Sequence, residues 1–145
     1  MNRRLLLALF ALVPMLLSGY ATAGDKDKVD ESKIGKLAAS AGITSEQAQA
    51  TVGSLLRLSQ GRLEISQYDQ IAEVVPKQAD YMAVAERLGV FEDDIGIQNV
   101  AALNAGLAKI GVKPDQVAKV ASELAGYVTK AAGNEAGGFF ANSIK

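Results

Sequence analysis

The stretch Ile110-Gly111-Val112-Lys113-Pro114-Asp115-Gln116, with apolar residues beyond it at Val117, Val120, Ala121, Leu124 and Val128, decides the fold. Gly111 can take the left-handed conformation that closes one helix, and Val112 after it can pack back on the last turn. Pro114 suits the first position of the next helix, where Asp115 is favourable against the N-terminal dipole. The spacing that follows obeys the i, i+3, i+4, i+7 rule of a helix with one apolar face. Two other junctions share this pattern, Ala41-Gly42-Ile43-Thr44-Ser45-Glu46-Gln47 and Leu88-Gly89-Val90-Phe91-Glu92-Asp93-Asp94. In the first, Thr44 and Gln47 form a capping box. A new helix is expected after each, and the likeness between the junctions is shared cap physics rather than duplication.

The same period runs outward through the chain. Ile34, Leu37, Ala38 and Ala41 mark a first helix; Ala48, Val52, Leu55 and Leu56 a second, from about Ser45 to Gln60. Tyr68, Ile71, Ala72 and Val75 mark a third, ended by Pro76, whose ring and missing N–H cannot continue the ladder. Tyr81, Met82, Ala85 and Leu88 mark a fourth, and Val100, Leu103, Leu107 and Ile110 a fifth, before the one already quoted. No apolar/polar alternation is long enough for a half-buried strand. The expectation is an all-α, compact bundle of about six or seven short amphipathic helices with short Gly-containing turns. Gly53, Ala101, Ala102, Ala105, Gly106 and Ala108 are small enough for close helix contacts, around a modest core.

Upstream the pattern changes. Arg3 and Arg4 precede an apolar run from Leu5 to Leu17, and Ala21-Thr22-Ala23 before Gly24 is the small-x-small pattern that signal peptidase reads. The run would rise roughly 20 Å as a helix, short of the ~30 Å hydrocarbon core, so a cleaved signal peptide is expected rather than a permanent span. Residues 1–23 are read as that signal, 24–32 as a charged flexible linker, and 33–145 as a single helical domain. The expected localisation is therefore export, to the periplasm or the medium. Cleavage would remove two arginines and no acid, taking the net charge from −1 to −3.

Composition narrows the chemistry. The 145 residues include no Cys, no His and no Trp, with 15 Lys+Arg against 16 Asp+Glu. Thiol nucleophiles, disulfides, imidazole-based triads and the usual zinc sites are thereby excluded. The absence of a basic cluster argues against nucleic acid and against docking on anionic lipid. No cofactor or metal site is expected.

Several segments together resemble a known family. They are the Gly-Ile-Thr-Ser-Glu-Gln-Ala segment from Gly42 leading into Val52-Gly53-Ser54-Leu55-Leu56, the Ile65-Ser66-Gln67-Tyr68-Asp69-Gln70-Ile71-Ala72 helix, and Ala101-Ala102-Leu103 with Gly106-Leu107. Ile110 to Val117 and Tyr127-Val128 complete the set. Their order and spacing resemble the VcgC/VcgE-like family of small exported bacterial proteins of unknown function, from roughly Leu37 to Ile144. The resemblance implies an all-helical exported domain and transfers no catalytic residue. Lys113 departs from the Ser or Thr expected as N-cap before Pro114.

Candidate sites are few. Phe91-Glu92-Asp93-Asp94 lacks the alternating ligands and closing Glu of a calcium loop, so helix capping and solvation are the better reading. Glu64, Asp69 and Glu73 fall on or near the outward face of the third helix, where catalysis is not expected. Asn104 reads as a boundary position in contact with water. Tyr68, Tyr81 and Tyr127, with phenols able to reach the surface, and Leu103 and Leu107 could line an apolar pocket. Phe139 and Phe140, beside Gly137 and Gly138, are either a last helix packed on the bundle or a docking segment for a partner or membrane. The expected function is non-enzymatic: binding of protein or envelope components, with a homo-oligomer or an envelope protein as partner. The alternative is a carrier of a small apolar ligand held between helices.

Overall fold

The computed structural model describes residues 28–145. Among them seven helices succeed one another with no strand: α1 Glu31–Ala41, α2 Ser45–Arg62, α3 Ile65–Ala72, α4 Gln78–Arg87, α5 Val100–Ala108, α6 Pro114–Ala132 and α7 Asn134–Ser143. The fold is an all-α bundle, as the periodicity requires. The expected cleavage residues Ala21, Ala23 and Gly24 lie outside the described residues.

The linker expected over 24–32 does not extend through its last residues. Val29 is buried and its N–H donates to the Val74 carbonyl at 2.7 Å. Asp30 caps α1 by accepting from the Lys33 N–H at 3.1 Å, so the helix opens at Glu31. A single apolar residue inside a charged run carries no periodic signal, which is why Val29 reads as linker.

All three glycine junctions close in one way. Gly42, Gly89 and Gly111 have φ of 71°, 81° and 85°, the left-handed region. The β-branched residue after each donates back to the carbonyl five residues earlier: Ile43 to Ala38 at 3.0 Å, Val90 to Ala85 at 2.9 Å, Val112 to Leu107 at 3.1 Å. The shared motif is a helix terminator. After Gly42 and Gly111 the next helix starts within a few residues, but after Gly89 the chain runs to Asn99 before α5 begins. There the side chain of Asn99 supplies the cap, accepting from the Ala102 N–H at 2.8 Å.

At Lys113, where no hydroxyl is present to cap α6, Gln116 reaches back to accept from the Lys113 N–H at 2.9 Å. α3 ends at Ala72, earlier than Val75; the residue before a proline is biased away from helical dihedrals, and Val75 is buried in the turn instead.

The helix α2 is the axis of the molecule and packs against each of the other six. Its sequence shows one apolar face, yet Ala48, Ala50, Thr51, Val52, Gly53, Ser54, Leu55, Leu56, Leu58 and Ser59 are all buried. The hydroxyls make this tolerable. Thr51 donates to the Gln47 carbonyl and Ser54 to that of Ala50, each at 2.7 Å, so neither is left unpaired. Ser59 and Ser143 share a bond at 2.7 Å, joining α2 to the end of α7. Arg62 donates to the Ser143 and Lys145 carbonyls at 3.0 and 2.8 Å.

Glycine sets the closest helix contacts. A Cβ built on Gly53 would lie 2.2 Å from the Tyr81 carbonyl oxygen, and one on Gly106 would lie 2.3 Å from that of Val90. Other small residues do not serve this purpose: Ala101, Ala102, Ala105 and Ala108 face solvent.

Candidate functional site

The five residues expected to line an apolar pocket are in separate places. Leu103 and Leu107 are buried on the inward side of α5. Tyr68, on α3, is buried with its hydroxyl donating to the Gln78 side chain at the start of α4. Tyr127, on α6, is half-buried, and the Lys33 ammonium stands 5.9 Å from its ring centroid. Tyr81 packs against α2, and its hydroxyl, expected to reach the surface, is buried without a partner. Burial pushes the Tyr68 and Tyr81 phenols above the ordinary tyrosine range; the Arg57 guanidinium opposes this at Tyr68. These rings are core, and none of the five lines the clefts described next.

Phe140 is fully buried, and Phe139 is half-buried. Their helix α7 packs on α6, with Gly137 against Thr129. Phe140 is therefore removed from any docking surface; buried against the body of the bundle, it has no face left for a partner. Glu64, Asp69 and Glu73 are exposed, and Asn104 is half-buried at the boundary. Among the described residues no group of three or more His, Cys, Asp or Glu side chains is placed to hold a metal ion, and no helix is long and apolar enough to cross a membrane.

Open clefts lie on the surface of the described residues. One of about 310 Å³ lies between the start of α1 and Pro76-Lys77, where Lys77 pairs with Glu31. That pairing, first by hydrogen bond and then by charge, raises the Lys77 ammonium above its usual range. A second, of about 460 Å³, separates the 88–99 segment from α5 and is lined by Phe91, Glu92, Ile95, Ile97, Ala102 and Lys109. The third, about 220 Å³, lies across the same segment, against Arg57 and Arg62 of α2. Arg57 holds the segment, donating to the Asp93 carbonyl at 3.3 Å. At its root the Glu86 carboxyl is held above the usual carboxylate range by burial and then by Asp93, while Arg57 pulls it down.

The 88–99 segment carries Ile95, which is 60% exposed. Beside it α5 presents Ala101, Ala102, Ala105 and Ala108 to solvent, and from Val100 to Ala108 this helix has no charged residue.

The family model described as "Protein of unknown function VcgC/VcgE" matches residues 21–144 of the chain. The chain belongs to this family. No curated protein and no solved structure matches it. For this VcgC/VcgE member, the Ile95 face is what sequence reasoning missed. The uncharged run Val100–Ala108 gave no distinguishing signal, since Leu37–Ser45, Gln47–Leu56 and Ala136–Ile144 are uncharged as well. Ile95 itself, between Asp94 and Gly96, belongs to no period and leaves no trace in the pattern.

The orphaned Tyr81 hydroxyl yields a stability prediction. Removing an unpaired buried hydroxyl relieves its desolvation cost, so Tyr81→Phe should raise stability by about 1 kcal/mol in urea unfolding at neutral pH. A raised phenol contributes stability that is intact below its unfolded pKa of about 10 and lost as pH climbs above it. The advantage of the phenylalanine variant over the parent should therefore widen in alkaline solution. A destabilised variant would mean that the hydroxyl has a partner.

Proposed function

We propose that the protein is an exported, non-enzymatic helical domain that works by binding protein or envelope components through its surface, self-association included. The observation that supports this reading most is the exposed, uncharged face of α5 next to the segment that carries the exposed Ile95; Ile65, at the start of α3, is exposed as well. Exposed apolar surface of this kind is a usual mark of an interaction site. The core offers no comparable support to an apolar-ligand carrier, since Leu103, Leu107, Tyr68 and Tyr81 are packed side chains and the clefts are open and edged by charge.

Photo-crosslinking side chains placed in living cells at Ile95 and at Ala105 test it. Both positions should give discrete protein adducts, and Lys119, exposed on α6, should give far fewer. Equal and diffuse labelling at all three would set the reading aside.

A further inference from the structure

We infer that the cleft of about 220 Å³ against Arg57 and Arg62 binds a compact oxyanion, a phosphate or carboxylate group, between these two guanidinium groups. The inference goes beyond the binding reading above. It concerns the side of the 88–99 segment that faces α2, and a small anionic ligand in place of a surface.

The last turns of α2 bring both arginines here, with Gly61 beside Arg62 leaving an opening between them. The 88–99 segment supplies the opposite wall through Ile95, Gly96, Ile97 and Gln98. No Asp or Glu lines this cleft; Glu86 and Glu92 border the larger one on the other side of the segment. Among the described residues no carboxylate side chain forms an ion pair with either arginine, whereas Lys77 and Arg87 pair with Glu31 and Glu46.

Main-chain and amide oxygens hold the two arginines instead. Arg57 donates through Nη1 to the Gln60 side chain at 3.2 Å and through Nη2 to the Asp93 carbonyl at 3.3 Å. Arg62 donates through Nη1 alone, to the Ser143 and Lys145 carbonyls. Its Nε–Nη2 edge, which can grip two oxygens of one oxyanion in parallel, makes no hydrogen bond among the described residues. Gly96 makes room on the other side. Its φ is 68°, and a Cβ there would lie 2.9 Å from the Arg57 Nη2. Both forks are thus oriented before a ligand arrives, which lowers the ordering cost of binding.

The surroundings limit the ligand to one isolated group. The Glu86 carboxyl feels the Arg57 charge from the neighbouring cleft, and Asp94 is exposed next to Ile95. A polyanion laid across the segment would meet these acids, but a single oxyanion between the forks does not. Two charge-assisted contacts in an open cleft support a Kd of about 1–10 mM.

Amide chemical shifts of the protein as its cells produce it, titrated with inorganic phosphate and separately with butyrate at constant ionic strength, test the inference. The expected result is saturable movement confined to the amides around Gly61, Gly96, Ile97 and Gln98. Tighter binding of phosphate points to a phosphate ester as the natural ligand; tighter binding of butyrate points to an organic acid whose chain lies on Ile95 and Ile97. Gly61 is exposed and a Cβ there meets nothing within 4 Å, so substitutions at this position should leave the thermal melt intact. Gly61→Asp puts a negative charge into the opening and should weaken phosphate binding at least about tenfold, with Gly61→Asn weakening it clearly less. Gly126→Asp, the same change of charge on α6, should leave binding as it is. Shifts that never saturate, shifts spread evenly over the surface lysines and arginines, or a Gly61→Asp variant that binds like the parent would each overturn the inference. Crosslinking at Ala105 reads the α5 face separately, so either conclusion can fail without the other.

Discussion

Gly53→Ala should abolish cooperative folding. The new methyl group would stand 2.2 Å from the Tyr81 carbonyl oxygen, 2.3 Å from its carbon and 2.6 Å from the Met82 nitrogen, all of them backbone atoms of α4. A flexible side chain could swing aside, but here α2 and α4 would have to separate along their whole contact. That contact is the most extensive between any two helices, and α2 also touches the other five. Overpacking at such a crossing exceeds the usual range and should cost more than about 4 kcal/mol, a large share of the roughly 5–15 kcal/mol that holds a domain together.

Circular dichroism and thermal unfolding read the outcome directly. Gly126→Ala is the control. Gly126 is exposed within α6 with nothing near its added methyl, so alanine there should stabilise by about 1 kcal/mol through helix propensity alone. If Gly53→Ala melted like the parent, the close α2–α4 approach would be wrong.

Phe140→Ala carries the second large effect. Its ring is fully enclosed and belongs to the same core as Leu55, Leu58 and Leu124. Emptying that space should cost about 3–5 kcal/mol, lost transfer energy and residual cavity together. Phe139→Ala, from a half-buried position, should cost clearly less. The comparison decides what the aromatic pair does. Fold anchoring shows as a lower denaturant midpoint for Phe140→Ala, whereas a docking role would leave the midpoint unchanged and remove crosslinked partners.

The terminators and the one-faced helices were legible because each is local. Gly42, Gly89 and Gly111 need a left-handed residue whatever surrounds them, and Val117, Val120, Leu124 and Val128 share a face by helix geometry alone. What could not be read depends on distant partners. Ser54 falls opposite the apolar face of α2, Thr51 at its edge and Ser59 as a polar group within it, and only their hydrogen bonds and the helices around them make burial acceptable.

The aromatic tail was ambiguous for the same reason. Two phenylalanines beside glycines suit a packed helix or an exposed hook equally, until Thr129 is seen to face Gly137. On the candidate surface, the alanines of α5 were visible as small residues. Which of them turn outward depends on α2 and α6, the elements that occupy the other side of that helix.

The bond between Ser59 and Ser143 ties positions 84 residues apart. A polypeptide emerging N-terminus first from the ribosome therefore leaves the end of its central helix uncovered until Asn134–Ser143 has emerged. A ribosome paused before those residues have emerged would display part of the core, open and sticky, to whatever chaperone waits there.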